Sequence, residues 1–214
     1  MKSRIRCNGQ FGQDFFVTSI LQGQTGGFFV DIGCGTSTLD LNHVPISAMS
    51  NTYILENSLG WDGIALDYDE KYCKKAEKYR SSVSCVNLME ENINDVLAQR
   101  NCPDHFDYLS FDVDEAQRKV LDEMDFDKYS FKILTYEHNF STEKDPRYNG
   151  KYNGDQAYSR EKFADLGYHI LFGNVGITYE QQIEDWYVND ELFEKWKHLQ
   201  QENTTLQDII SKLR

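Results

Sequence analysis

Five acidic residues close short apolar runs that read as strands: Asp31, Asp67, Asp112, Asp114 and Glu137. Acids are poor strand residues, and ligands of an open parallel sheet sit in the crevice beyond the strand C-termini. The first run ends in Val30-Asp31-Ile32-Gly33-Cys34-Gly35, whose glycines let the backbone turn sharply and approach a ligand closely. The third glycine of the dinucleotide fingerprint is replaced by Thr38. A carboxylate two residues before Gly33 would repel a pyrophosphate. It suits a cation, such as the amino group or sulfonium of S-adenosylmethionine (SAM). Asp67 ends the next run, where a carboxylate can accept both ribose hydroxyls.

These acids need a scaffold of alternating strands and helices. Strands are predicted at 27–32, 63–66, 83–86, 106–111, 131–136, 168–172 and near 185–188. Helices are predicted at 50–59, 70–79, 115–124 and 160–166. That alternation implies an α/β fold with a doubly wound, mainly parallel sheet. A polar segment, 139–157, interrupts it. In the last stretch Leu192, Trp196, Leu199, Asn203, Leu206, Ile210 and Leu213 recur in steps of four and three, a heptad seam with Asn203 inward. Residues 1–188 are therefore expected to form one domain, and 189–214 an amphipathic helix able to dimerise as a coiled coil.

The chain has 214 residues, with 22 Lys and Arg against 35 Asp and Glu, a net charge of −13. That charge argues against nucleic acid and against an anionic membrane surface as partners. No apolar run is long enough to span a membrane, so no membrane insertion is expected. The five cysteines show no C-x-x-C spacing, which points away from structural zinc and towards a reducing, cytoplasmic setting.

Several stretches, in order, resemble the FkbM-type SAM-dependent methyltransferases. They are Gln10-Phe11-Gly12-Gln13-Asp14-Phe15-Phe16-Val17, Gly27-Phe28-Phe29-Val30-Asp31-Ile32-Gly33, Ser50-Asn51-Thr52-Tyr53-Ile54-Leu55-Glu56, and Leu59-Gly60-Trp61-Asp62-Gly63-Ile64. Phe106 to Asp114 and Tyr136-Glu137-His138-Asn139 complete the set. The resemblance implies a class I methyltransferase (Rossmann-like) sheet of seven strands with an antiparallel last strand. It implies SAM as cofactor, S-adenosylhomocysteine as product, and O-methylation of a sugar or glycan hydroxyl. By matching position, Asp31, Gly33, Cys34 and Gly35 would line the methionine end of SAM, supported by Asn51 and Glu56. Asp67 would hold the ribose, Asn87 and Leu88 would flank the adenine, and Asp112 would close the pocket. Gln13 and Asp14 would cover the cofactor. Two differences stand out: Asp114-Glu115-Ala116-Gln117 lacks the family's glycine, and 36–48 is longer than the family's tight turn and brings in His43 as an acceptor contact.

A sugar hydroxyl needs a base, and a positioned one contributes roughly 10²- to 10⁴-fold. His138 is the leading candidate, because histidine titrates near neutral pH; Asp112, Asp114 and Glu137 are the acidic alternatives. Asp112-x-Asp114 with His138 could also clamp a divalent metal, which the spacing permits and nothing demands. Arg147, Tyr148, Tyr152 and Tyr158 in the polar segment offer flat faces with polar tips for a pyranose. Two rival readings remain: a metal-dependent glycosyltransferase using Asp112-Val113-Asp114, and a non-catalytic interaction domain of the same fold.

Overall fold

The computed structural model describes residues 8–35, 49–138 and 155–214. The chain divides into two compact units, Met1–Phe131 and Lys132–Arg214.

The first unit alternates strands and helices, with α1 and α4 added to the expected elements: α1 (Gln13–Ile20), β1 (Phe28–Ile32), α2 (Tyr53–Leu59), β2 (Asp62–Asp67), α3 (Glu70–Ala76), β3 (Val83–Cys85), α4 (Ile93–Gln99), β4 (His105–Phe111) and, after a short 3₁₀ turn, α5 (Gln117–Glu123). Its strands run parallel in the order β3-β2-β1-β4. Phe29, Val30 and Ile32 of β1 have no solvent exposure, as a parallel strand covered on both faces requires. Caps set the helix ends. Gly60 stops α2 with a φ of 64°, and the Asp69 and Asn92 side chains accept backbone N–H groups at the starts of α3 and α4. The Asn92 cap is the signal for α4, a helix absent from the sequence reading.

The second unit holds β5 (Ser130–Glu137, which begins just before the boundary), α6 (Asp155–Asp165), β6 (Tyr168–Gly176), β7 (Gln182–Asn189), α7 (Asp190–Trp196), β8 (Thr204–Thr205) and α8 (Leu206–Lys212). β7 runs antiparallel to both β5 and β6, and β8 is parallel to β6. Phe163 anchors its core, with ring centroids 5.4 Å from Tyr136 and 5.1 Å from Tyr187. Trp186 is fully buried and so is core. This is the α/β, class I methyltransferase type of architecture, with its antiparallel strand and a C-terminal helix. It differs from the expected seven strands by the two-residue β8.

The heptad seam does not form one helix. Residues 189–214 contain two short helices separated by a 3₁₀ turn and β8. Asn203 takes a left-handed φ of 54°, and its side-chain oxygen accepts from Asn174 at 3.1 Å. Backbone bonds to β6 outweigh the seam: Gln201 N–H donates to the Leu171 carbonyl at 3.0 Å, and Gly173 N–H to the Gln201 carbonyl at 2.9 Å. A coiled-coil dimer built on this segment therefore has no helix to run on.

Candidate functional site

In the first unit the predicted residues converge on the end of β1. Asp31 is fully buried, register-paired with Ala65 on one side and Ser110 on the other. Gly33 has a φ of 88°, and a Cβ there would lie 1.5 Å from the Asp112 carbonyl oxygen, so no other residue fits. The Gly33 and Cys34 amides both donate to the Leu66 carbonyl, at 2.9 and 3.0 Å. Gly35 N–H donates to Asp67 Oδ2 at 2.8 Å, while Asp67 Oδ1 accepts from Asp69 N–H at 2.8 Å. This chain of bonds holds the glycine turn against the ribose-type acid. Cys34 contributes backbone: its carbonyl accepts from Tyr72 Oη at 2.9 Å, and burial pushes its thiol pKa up, so it stays protonated.

Asp31 is held by residues that sequence reasoning missed. Thr52 Oγ1 donates to its Oδ2 at 2.5 Å and accepts from Arg80 Nη2 at 2.7 Å. Arg80 Nη1 donates to Ser50 Oγ at 3.1 Å, and Nε pairs with Glu56 at 2.8 Å. Glu56 also accepts from the Ser81 and Ser82 amides, at 2.8 and 3.1 Å. Glu56 therefore supports the site through Arg80 and Thr52. In sequence Arg80 sits in Glu-Lys-Tyr-Arg-Ser-Ser and looks like a surface cation. The paired serines after it are the one local hint of a buried carboxylate.

Asn51 Nδ2 donates to Ser110 Oγ at 3.0 Å. Among the described residues, two buried oxygens beside this network have no hydrogen-bond donor: Oδ1 of Asp31 and Oδ1 of Asn51. Gly9 approaches closely too. A Cβ on it would lie 2.6 Å from Gln13 Oε1 and 2.9 Å from Asn51 Oδ1, which places Gln13 and Asn51 around one backbone segment. Burial raises the pKa of Asp31, offset in part by Arg80, and burial likewise raises that of Asp67.

Asp14 is buried beneath the same segment, with Asn8 N–H donating to its Oδ2 at 2.6 Å. Burial lifts its pKa from an ordinary 3.8 to about 6. The folded chain therefore keeps a proton that the unfolded chain loses between those values, and stability falls as pH rises through that window. The cost is roughly 3 kcal/mol once pH exceeds the folded value. Asp14→Asn is expected to flatten that part of the curve. Urea unfolding at pH 4 and pH 7 reads it; an equal gap between variant and parent at both pH values would contradict it.

Near the expected adenine, Asn87 Oδ1 accepts from Met89 N–H at 3.1 Å and Leu88 is buried. Val86 N–H ties this stretch to the Asp67 carbonyl at 2.8 Å. At the end of β4, Asp112 N–H donates to the Ile32 carbonyl at 2.8 Å, and Asp114 takes a φ of 46° in the 3₁₀ turn. Among the described residues no group of three or more His, Cys, Asp or Glu is placed to hold a metal ion.

In the second unit Glu137 ends β5 opposite Glu184. His138 is buried, its backbone N–H donating to the Ile183 carbonyl at 2.7 Å. Tyr158 lies on α6 with Lys162 Nζ 5.9 Å from its ring centroid. His43, Arg147, Tyr148 and Tyr152 lie outside the described residues. No described helix is long and apolar enough to cross a membrane.

No protein-family model matches the chain. No curated protein matches it either. Among solved structures it is similar to a protein from Pyrococcus horikoshii assigned provisionally as an RNA methyltransferase, at 12% identity and a TM-score of 0.44 over 83% of this chain and 80% of that one. It is similar also to an N-terminally truncated METTL16 methyltransferase domain, at 14% identity and a TM-score of 0.41 over 82% and 78%. A third is a SAM-dependent methyltransferase from Geobacter sulfurreducens in complex with S-adenosylhomocysteine, at 10% identity and a TM-score of 0.44 over 79% and 68%.

Proposed function

We propose that this chain is a SAM-dependent methyltransferase acting on a hydroxyl of a sugar or glycan. The observation that carries the cofactor reading is the pair of buried acceptors, Asp31 Oδ1 and Asn51 Oδ1, that have no donor among the described residues. A buried acceptor left without a donor costs about 1–3 kcal/mol. An ammonium offers only donors and relieves both. When bound, SAM supplies a methyl group on a sulfonium, a carbon that an oxygen nucleophile can attack in line.

The chain's residues fit the rest of that molecule. The glycines of the Gly33–Gly35 turn pack against Asp112, Asp67 and Tyr72 where a Cβ has no room, which fixes the turn beside Asp67. Asp67 keeps lone pairs beyond its two amide contacts for ribose hydroxyls. Asp112 and Asp114 stand at the end of β4 as carboxylates able to take the proton of an attacking hydroxyl.

The sugar acceptor rests on the FkbM resemblance and on charge. An RNA acceptor sits poorly with a net charge of −13. Mass spectrometry of a glycoside panel and of RNA oligonucleotides incubated with chain and SAM tests the reading. A gain of one methylene mass on a glycoside is expected. Gain on RNA alone overturns the sugar reading while sparing the cofactor.

A further inference from the structure

The second unit holds a buried polar network that the methyl-transfer reading leaves unused. His138 and Asp185 each have fully buried side chains, and His138 Nε2 lies 3.4 Å from Asp185 Oδ1. That pairing invites an aspartate-backed histidine base. The surrounding bonds say otherwise.

Asp185 is already saturated. Its Oδ1 accepts from Arg160 Nη2 at 2.7 Å and from Asn174 N–H at 2.8 Å. Its Oδ2 accepts from Arg160 Nε at 2.6 Å and from Tyr187 Oη at 3.4 Å. Burial alone would raise this carboxyl, but Arg160's hydrogen bonds, with the His138 ring beside it, hold it well below the usual carboxylate range.

The nearer neighbour of His138 Nε2 is the Gln156 amide nitrogen, at 3.2 Å. Amide orientation follows from the partners further out. Glu202 Oε2 can only accept, so the Asn174 group facing it at 3.1 Å is the NH₂. Asn174 Oδ1 then faces Gln156, whose Nε2 donates to it at 2.5 Å. The remaining Gln156 proton points at His138. Asn174 is fixed in this role by its backbone: it holds a left-handed φ of 49° where β6 slips register. An Nε2–H on His138 would set donor against donor.

We propose that the chain Glu202–Asn174–Gln156 locks the ring orientation of His138 as the Nδ1–H tautomer, with Nε2 accepting from Gln156. Gln156 and Asn174 are then positioning residues, and His138 is a hydrogen-bond donor rather than the base. That catalytic consequence rests on the methyltransferase reading; the tautomer itself does not.

Long-range ¹H–¹⁵N correlation spectra of the full chain carrying ¹⁵N-histidine test this at neutral pH, with His138→Gln to assign the signal. His138 is expected to show a pyrrole-type Nδ1 and a pyridine-type Nε2. Gln156→Glu replaces the donor by an acceptor and is expected to move the proton, giving Nε2 the pyrrole-type shift. A pyrrole-type Nε2 in the unmodified chain overturns the proposal, as does an unchanged pattern in Gln156→Glu. S-adenosylhomocysteine binding, measured separately, shows whether the methyltransferase reading fails independently.

Discussion

Arg80→Met is expected to lower folding stability by about 3–5 kcal/mol, the range for removing one partner of a buried ion pair. The Arg80 side chain has no solvent exposure and Glu56 retains only 10%. Methionine would fill the volume and supply no donor. Glu56, Thr52 and Ser50 would each lose a bond, and Asp31 would lose the cation that offsets its burial. For a chain of this size the midpoint of thermal unfolding should fall by roughly 6–20 °C. Urea unfolding checks it: the midpoint drops while the slope holds. Glu56→Gln added to Arg80→Met should recover part of the loss, because the orphaned charge is then gone. An unchanged midpoint would remove Arg80 as the bolt of this site.

Asp31→Asn is expected to weaken S-adenosylhomocysteine binding by about 10- to 150-fold, with a stable fold. A hydrogen bond to a charged partner contributes about 1.5–3 kcal/mol, and each 1.4 kcal/mol is tenfold. The carboxyl and carboxamide are nearly isosteric, so packing around β1 is kept. The amide removes the negative charge and turns one of the two oxygens into a donor, which an ammonium cannot use. Calorimetric titration of variant and parent reads the ratio. Equal affinities would mean that Asp31 serves the Arg80–Thr52 network alone.

The first unit was legible because its signals are local. β1 is a run of aromatic and β-branched residues ended by glycine, and the acids at Asp31 and Asp67 stand at strand ends that ligands use. What sequence could not give is who holds those acids. Arg80 reaches Thr52 and Asp31 from 28 and 49 positions away, through pairings that only the folded sheet creates. The C-terminal seam misled for the opposite reason. A heptad over this length is weak evidence, and backbone bonds from Gln201 to β6 outweighed it. The His138 network was invisible because Gln156, Asn174 and Glu202 are ordinary polar residues until a bulge in β6 brings them together.

The central claim is that the first unit is built for a cationic, ribose-bearing cofactor. Isothermal titration of the full, unmodified chain tests it most directly, with S-adenosylhomocysteine in one run and a nucleotide sugar plus magnesium in another. One-site binding of S-adenosylhomocysteine, with no heat from the nucleotide sugar, is the result this account predicts. Binding of the nucleotide sugar with none of S-adenosylhomocysteine would contradict it and leave the glycosyltransferase reading in its place.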